Sequence, residues 1–203
     1  FCGRMFTVYL GLDCSYEDLG ITDYSIFFMN SADSVKEYNS IKDKEKNEFN
    51  IFLCYNVSNT NVSTTGTCIC SFTSFHDPSF WDNLNPIEYA HKKTYYAEKL
   101  IDNLKRKTGI SLKEHIEEIE IASPLTFARY INVPEGSVYG YELREWDNSI
   151  SRMMMIENDN AIPHFYHIGT SSARGVGYNG TYIIGDLVAR KVIKKMNNME
   201  ELK

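Results

Sequence analysis

The chain has 203 residues, of which 43% are hydrophobic and 24% charged, and it carries a formal net charge of −6. This length suits one domain, or a domain with an appendage, that buries a real hydrophobic core. The acidic balance argues against a nucleic-acid surface, and no apolar run is long enough to span a bilayer, so we expect neither nucleic acid as a partner nor a transmembrane segment.

The first third of the chain predicts four β-strands. Residues 5–12 alternate, which places Phe6, Val8, Leu10 and Leu12 on one face. Three further runs rich in β-branched and aromatic residues predict strands over residues 24–29, 51–57 and 67–74. The Ser-, Thr- and Asn-rich residues 58–66 predict a hairpin loop between the last two strands.

The middle of the chain predicts helices and a fifth strand. Pro86 begins a predicted helix that runs to about Lys107 and stops before Gly109. Its predicted buried positions are Ala90, Ala97, Leu100, Ile101 and Leu104. A short helix is predicted from Ser111 and a strand over residues 118–122. These elements predict an α+β fold, with a mixed, largely antiparallel sheet backed by helices.

The five cysteines favour buried free thiols over metal or redox chemistry. Cys68 and Cys70 alternate within a predicted strand, so both thiols share one face. No second Cys or His pair follows at zinc-finger spacing. Together with residue usage typical of an AT-rich bacterium, this favours a reduced, cytoplasmic protein, with peripheral membrane contact as an alternative.

The C-terminal fifth carries the most specific chemical signal. A predicted strand over residues 165–168 is followed by a glycine-rich loop and by a predicted helix over about residues 182–196. Glycines between a strand and a helix N-terminus let backbone N–H groups approach an anion or a planar ring closely. The alternative interpretation is a plain glycine-rich turn.

Two stretches resemble one known family. The C-terminal stretch matches at Gly169, Thr170, Ser171, Gly175, Val176, Gly177, Tyr178, Asn179 and Gly185. The second match covers residues 122–130 and 134–140, with Ser123-Pro124 at its start. Both resemble the flavin-dependent superfamily of phytoene desaturases, carotenoid isomerases and amine oxidases. Thr170 stands where that family often has Asp, and Arg174 where many members have Pro.

The resemblance implies a cofactor, a substrate class and the residues that contact them. The implied cofactor is FAD, and the implied substrate is a lipophilic small molecule, such as a polyene. The cofactor contacts implied are Gly169, Thr170, Gly175, Val176, Gly177, Tyr178 and Asn179. Tyr139 and Tyr141 would line the substrate cavity. The implied division is a substrate-binding region over residues 1–163 and a strand, loop and helix of the FAD domain over residues 164–203.

A dinucleotide-binding fingerprint is missing from the sequence. The hexamer over residues 175–180 spells G-x-G-x-x-G, but no second strand or ribose-binding acid follows it. We therefore expect the C-terminal portion of a longer enzyme, inactive without an N-terminal FAD-binding portion. We also expect self-association, because the apolar residues of the last helix would lack partners. The rival hypothesis is a non-catalytic α+β module that binds a partner and holds no cofactor.

Overall fold

A computed structural model of the protein describes residues 3–138, 150, 162, 165–169 and 177–200, with side chains to residue 198. Contacts between Cα atoms divide the chain into two compact units. The first comprises residues 3–138, and the second comprises the two N-terminal residues with residues 139–203. The boundary predicted at residue 163 lies outside the described residues.

The first unit is built on an open five-stranded sheet. Its strands are β1 (Arg4–Leu12), β2 (Ser25–Phe28), β3 (Asn50–Cys54), β4 (Cys68–His76) and β5 (Ile116–Ala122). Their order is β2-β3-β4-β1-β5, and every neighbouring pair is antiparallel. The predicted α+β fold with a largely antiparallel sheet is therefore confirmed, and no parallel pair occurs among the described strands.

Five helices have defined bounds among the described residues. They are α1 (Ser34–Ile41), α2 (Tyr55–Ser58), α3 (Pro86–Thr108), α4 (Pro124–Ile131) and α5 (Tyr178–Glu200). The helix predicted from Ser111 is only a 3₁₀ turn, Lys113–His115. The Ser111 hydroxyl does donate to the Glu114 carboxylate, at 2.7 Å. Across the described residues, no helix has both the length and the hydropathy needed to cross a membrane.

The hydrophobic core lies between the sheet and α3. The alternating residues of β1 are buried as predicted, and they are at most 2% exposed. From α3 the core receives Tyr96, Ala97, Leu100, Ile101 and Leu104. The prediction for Ala90 is wrong, because this residue is exposed. It precedes the stretch of α3 that covers the sheet, where the buried residues begin at Tyr96.

The β3–β4 hairpin differs from its prediction at the end of β3. The third strand was predicted through residue 57, but it ends at Cys54 and the chain turns into α2. Asn56 explains the change, because its side chain leaves the ladder and bonds across the loop. Its amide oxygen accepts from Ile69 N at 2.8 Å, and its amide nitrogen donates to Ser63 Oγ at 2.8 Å.

The second unit contains the predicted C-terminal helix but not the predicted strand. Helix α5 begins at Tyr178, earlier than expected. Residues 165–168 have no strand partner within the described part of the chain, so the strand predicted there is wrong. Phe165 N donates instead to the Ile162 carbonyl at 3.2 Å, and Gly169 leaves the extended region with φ of +106°.

The apolar residues of α5 are buried to different degrees. Ile184 is fully buried, whereas Ile183 and Leu187 are 40% and 38% exposed. The expectation that Ile183, Ile184, Leu187, Val188 and Val192 stay partly exposed, or are covered by another copy, is wrong for Ile184, which is buried within one chain. Because Ile183 and Leu187 are partly exposed, self-association stays a prediction.

Candidate functional site

The best-placed of the predicted cofactor contacts lie where α5 begins. Gly177 has φ of +92°, a left-handed conformation that side chains rarely adopt, and it directly precedes Tyr178. Its carbonyl accepts from Thr181 N at 3.2 Å and from Thr181 Oγ1 at 2.8 Å, which closes the first turn. A glycine is thus required where the chain enters this 23-residue helix.

The helix start is exposed and carries aromatic side chains. Tyr178 and Tyr182 are 82% and 72% exposed, and their rings stack with centroids 6.3 Å apart. A Cβ added to Gly177 would meet no atom within 4 Å. The first N–H groups of an α-helix have no partner within the helix, and they carry a partial positive charge. This end of α5 can therefore be approached by an electron-rich group.

The other predicted contacts are only partly described. Gly169 has a positive φ and open space around its Cα, and Asn179 lies in the first turn of α5. The remaining predicted site residues lie outside the described residues: Thr170, Gly175, Val176, Tyr139 and Tyr141. Their roles remain predictions.

The second family-like stretch has a structural role in the first unit. Ser123 caps α4, and the side chain of Thr126 completes a capping box. Gly136, with φ of +72°, packs so closely on this helix start that a Cβ would lie 2.2 Å from the Pro124 carbonyl oxygen. The buried Arg4 forms an ion pair with Glu135 beside it. Pro124 and Gly136 therefore hold the start of α4 against the turn Pro134–Gly136.

A buried histidine was missed by sequence reasoning. His76 is 3% exposed and is surrounded by the rings of Phe6, Phe80, Trp81 and Tyr96. Trp81 Nε1 donates to His76 Nδ1 at 3.1 Å, so the ring proton resides on Nε2. Burial lowers the pKa of His76 to about 3, with smaller effects from Lys99 and Lys92. The ring is therefore neutral and works as a core side chain.

A cavity of about 400 Å³ lies along α3, beside His76. Its rim carries charges of both signs, including Glu48 and Arg106. These two pair with each other at 2.7 Å, while Lys99 Nζ donates to the carbonyls of Lys44 and Glu45 at 3.4 and 3.3 Å. Because its rim carries the carboxylates of Glu48, Glu98 and Asp102 together with Lys99 and Arg106, the cavity presents no single sign of charge to a ligand.

A Cys–His–Asp group lies at the end of β1. His115 Nδ1 lies 2.9 Å from Asp13 Oδ1, and the donor atoms of Asp13, Cys14 and His115 lie within 4.8 Å of one another. Burial, together with Asp13 and Asp18, raises the pKa of the Cys14 thiol. A nucleophilic cysteine needs the opposite shift, so this group lacks an activated nucleophile.

No family model matches the chain. No curated protein is significantly similar to it.

Proposed function

We propose that this chain forms part of an FAD-dependent oxidoreductase, similar to the phytoene desaturase, carotenoid isomerase and amine oxidase superfamily, that acts on a lipophilic substrate. The observation that carries the proposal is the junction at Gly177. A left-handed glycine directly precedes a long helix at the point where the resembling motif implies contact with the flavin.

The residues of this junction suit the flavin end of FAD. Gly177 leaves open space before the helix, so that the backbone can approach a planar ring closely. The partial positive charge of a helix N-terminus favours electron density at the carbonyl edge of that ring. Gly177, Tyr178 and Asn179 would hold and orient the ring. FAD, when bound, supplies the redox chemistry.

The sheet supports an apolar substrate. The face of the sheet opposite α3 carries aromatic and aliphatic residues interspersed with hydroxyls, while the exposed Glu118 and Glu120 lie on it at the β5 edge. Tyr9 and Phe27 on this face are 42% and 61% exposed. The hydroxyls of Thr7 and Thr73 lie 3.2 Å apart and pair with each other. The part of this face on the side of Phe27, away from the β5 carboxylates, therefore suits an apolar molecule better than a polar one.

The test uses protein expressed from the complete reading frame in which these residues are encoded. Gly177→Val should weaken FAD binding about tenfold or more, because the new side chain would occupy the space at the helix start. The matched control is Ala189→Val, which adds similar bulk to an exposed position of the same helix. Circular dichroism would confirm that both variants keep α5.

The outcome separates the two hypotheses. Equal FAD affinity in wild type and Gly177→Val would contradict the assigned contact. A complete reading frame without a strand–G-x-G-x-x-G–helix unit, whose product holds no flavin, would favour the non-catalytic α+β module.

A further inference from the structure

Three buried cysteines converge at the hairpin end of the sheet. Cys54 is the last residue of β3 and pairs with Cys70 across the antiparallel β3–β4 ladder. Cys68 lies two residues before Cys70 and shares its face. The three thiols are free, and their Sγ atoms all lie within 4.8 Å of one another.

Protein atoms surround the cysteine cluster almost completely. Each of the three residues is at most 1% exposed. The loop that joins β3 to β4 is held by Asn56, which is itself 3% exposed. Asn56 anchors both sides of that loop through Ser63 and Ile69 N. The sulfur atoms therefore meet in a site protected from solvent, at the end of the hairpin that this loop connects.

We propose that Cys54, Cys68 and Cys70 form a binding site for one soft, thiophilic divalent cation of the zinc class. Three sulfur donors without a carboxylate or imidazole form a soft ligand set. On binding, each coordinating thiol that still holds a proton releases it to solvent. With a divalent ion, three thiolates keep a net charge of −1, whereas a monovalent ion would leave −2 in a buried site. The divalent ion therefore carries the smaller desolvation cost.

The geometry needs only a small adjustment. At a Zn–S distance of about 2.3 Å and tetrahedral angles, neighbouring sulfurs lie roughly 3.8 Å apart. The observed spacing of at most 4.8 Å can contract to this value by rotation about side-chain bonds. Cys14 packs against the same core but is only partly buried and lies outside the cluster. The site therefore has three protein ligands, and a zinc ion would have a fourth position for water.

The test is a zinc titration of the reduced 203-residue chain, against a competing chromophoric chelator, with Mg²⁺ as the hard-cation control. We expect one Zn²⁺ per chain and no competition from Mg²⁺. Cys54→Ser, Cys68→Ser and Cys70→Ser should each weaken binding by about 100-fold or more, because each removes a direct ligand. Cys14→Ser is the matched control and should change the affinity by less than about threefold.

X-ray absorption of the zinc-loaded wild type tests the site without any variant. The proposal predicts three sulfur neighbours at about 2.3 Å. A reduced chain that retains no zinc, a coordination shell of nitrogen and oxygen only, or a Cys14→Ser variant that loses zinc as completely as the cluster variants would each overturn it.

Discussion

At the scale of single residues, burial decides which groups can do chemistry. Histidine often serves as a catalytic base, but aromatic rings surround His76 and Trp81 donates to its Nδ1. Its lowered pKa makes it a neutral core residue. The three cysteines are equally buried, yet they contact one another, so each can share charge with its neighbours. Burial of the same degree thus keeps His76 neutral but leaves the three thiols in contact with one another.

The buried His76 predicts a specific pH dependence of stability. Burial lowers its pKa in the folded protein to about 3, from an ordinary histidine value of 6.5. The unfolded chain therefore binds a proton that the folded chain does not, and His76's contribution to stability is full above pH 6.5 and is lost as the pH falls toward 3. The slope is about 1.4 kcal/mol per pH unit within that window.

His76→Gln tests this dependence because the amide can still accept from Trp81. Denaturant unfolding between pH 6.5 and 4 should show that the free energy of unfolding falls less steeply with pH in the variant. The difference in slope should reach at most the value for one proton, about 1.4 kcal/mol per pH unit. Parallel slopes in the two proteins would mean that folding does not lower the pKa of His76.

At the scale of elements, positions governed by local rules could be predicted and positions governed by long-range contacts could not. The alternation of β1 and the Pro86 and Gly109 boundaries of α3 were predictable, because burial on one face and capping leave local patterns. The end of β3 at Cys54 was not, because Asn56 bonds to residues on the far side of the loop. The proposed metal site shows the same contrast. The two-residue period of a strand predicts that Cys68 and Cys70 share a face, whereas the position of Cys54 beside them depends on the register of the hairpin.

The predicted strand over residues 165–168 failed for a related reason. A strand needs a partner in a ladder, which the local sequence does not reveal, and Phe165 and Ile168 are 58% and 57% exposed. The glycine before α5, by contrast, was predictable, because a helix start next to glycines leaves a local signature.

The turn that contacts α4 provides the element-scale prediction. Gly136→Ala should destabilise the first unit by about 3–4 kcal/mol, since it adds overlap with Pro124 to the strain of a left-handed residue. Gly66→Ala is the matched control: Gly66 has φ of +85°, but its Cβ would meet no atom within 4 Å. The control should lose only about 1–2 kcal/mol. Equal losses in denaturant unfolding would show that the close contact with Pro124 is unimportant.

At the scale of the whole molecule, the two proposed contacts fall in different units. The first unit has a sheet with one face packed on α3, and the proposed substrate surface is the opposite face. The second unit contains Gly177 and the start of α5, the proposed contact with the flavin. The proposed oxidoreductase needs both units, together with a segment that binds the ADP half of FAD.

The central claim is that this chain contacts a flavin but does not hold FAD tightly by itself. A few backbone hydrogen bonds at the start of α5, worth about 0.5–1.5 kcal/mol each, do not offset the roughly 4–15 kcal/mol cost of immobilising a ligand. The deciding measurement is flavin absorbance after desalting, on the 203-residue chain and on the product of its complete reading frame, each incubated with FAD. The account predicts a colourless 203-residue chain and one FAD per molecule of the complete product. Stoichiometric FAD on the 203-residue chain, or none on the complete product, would contradict it.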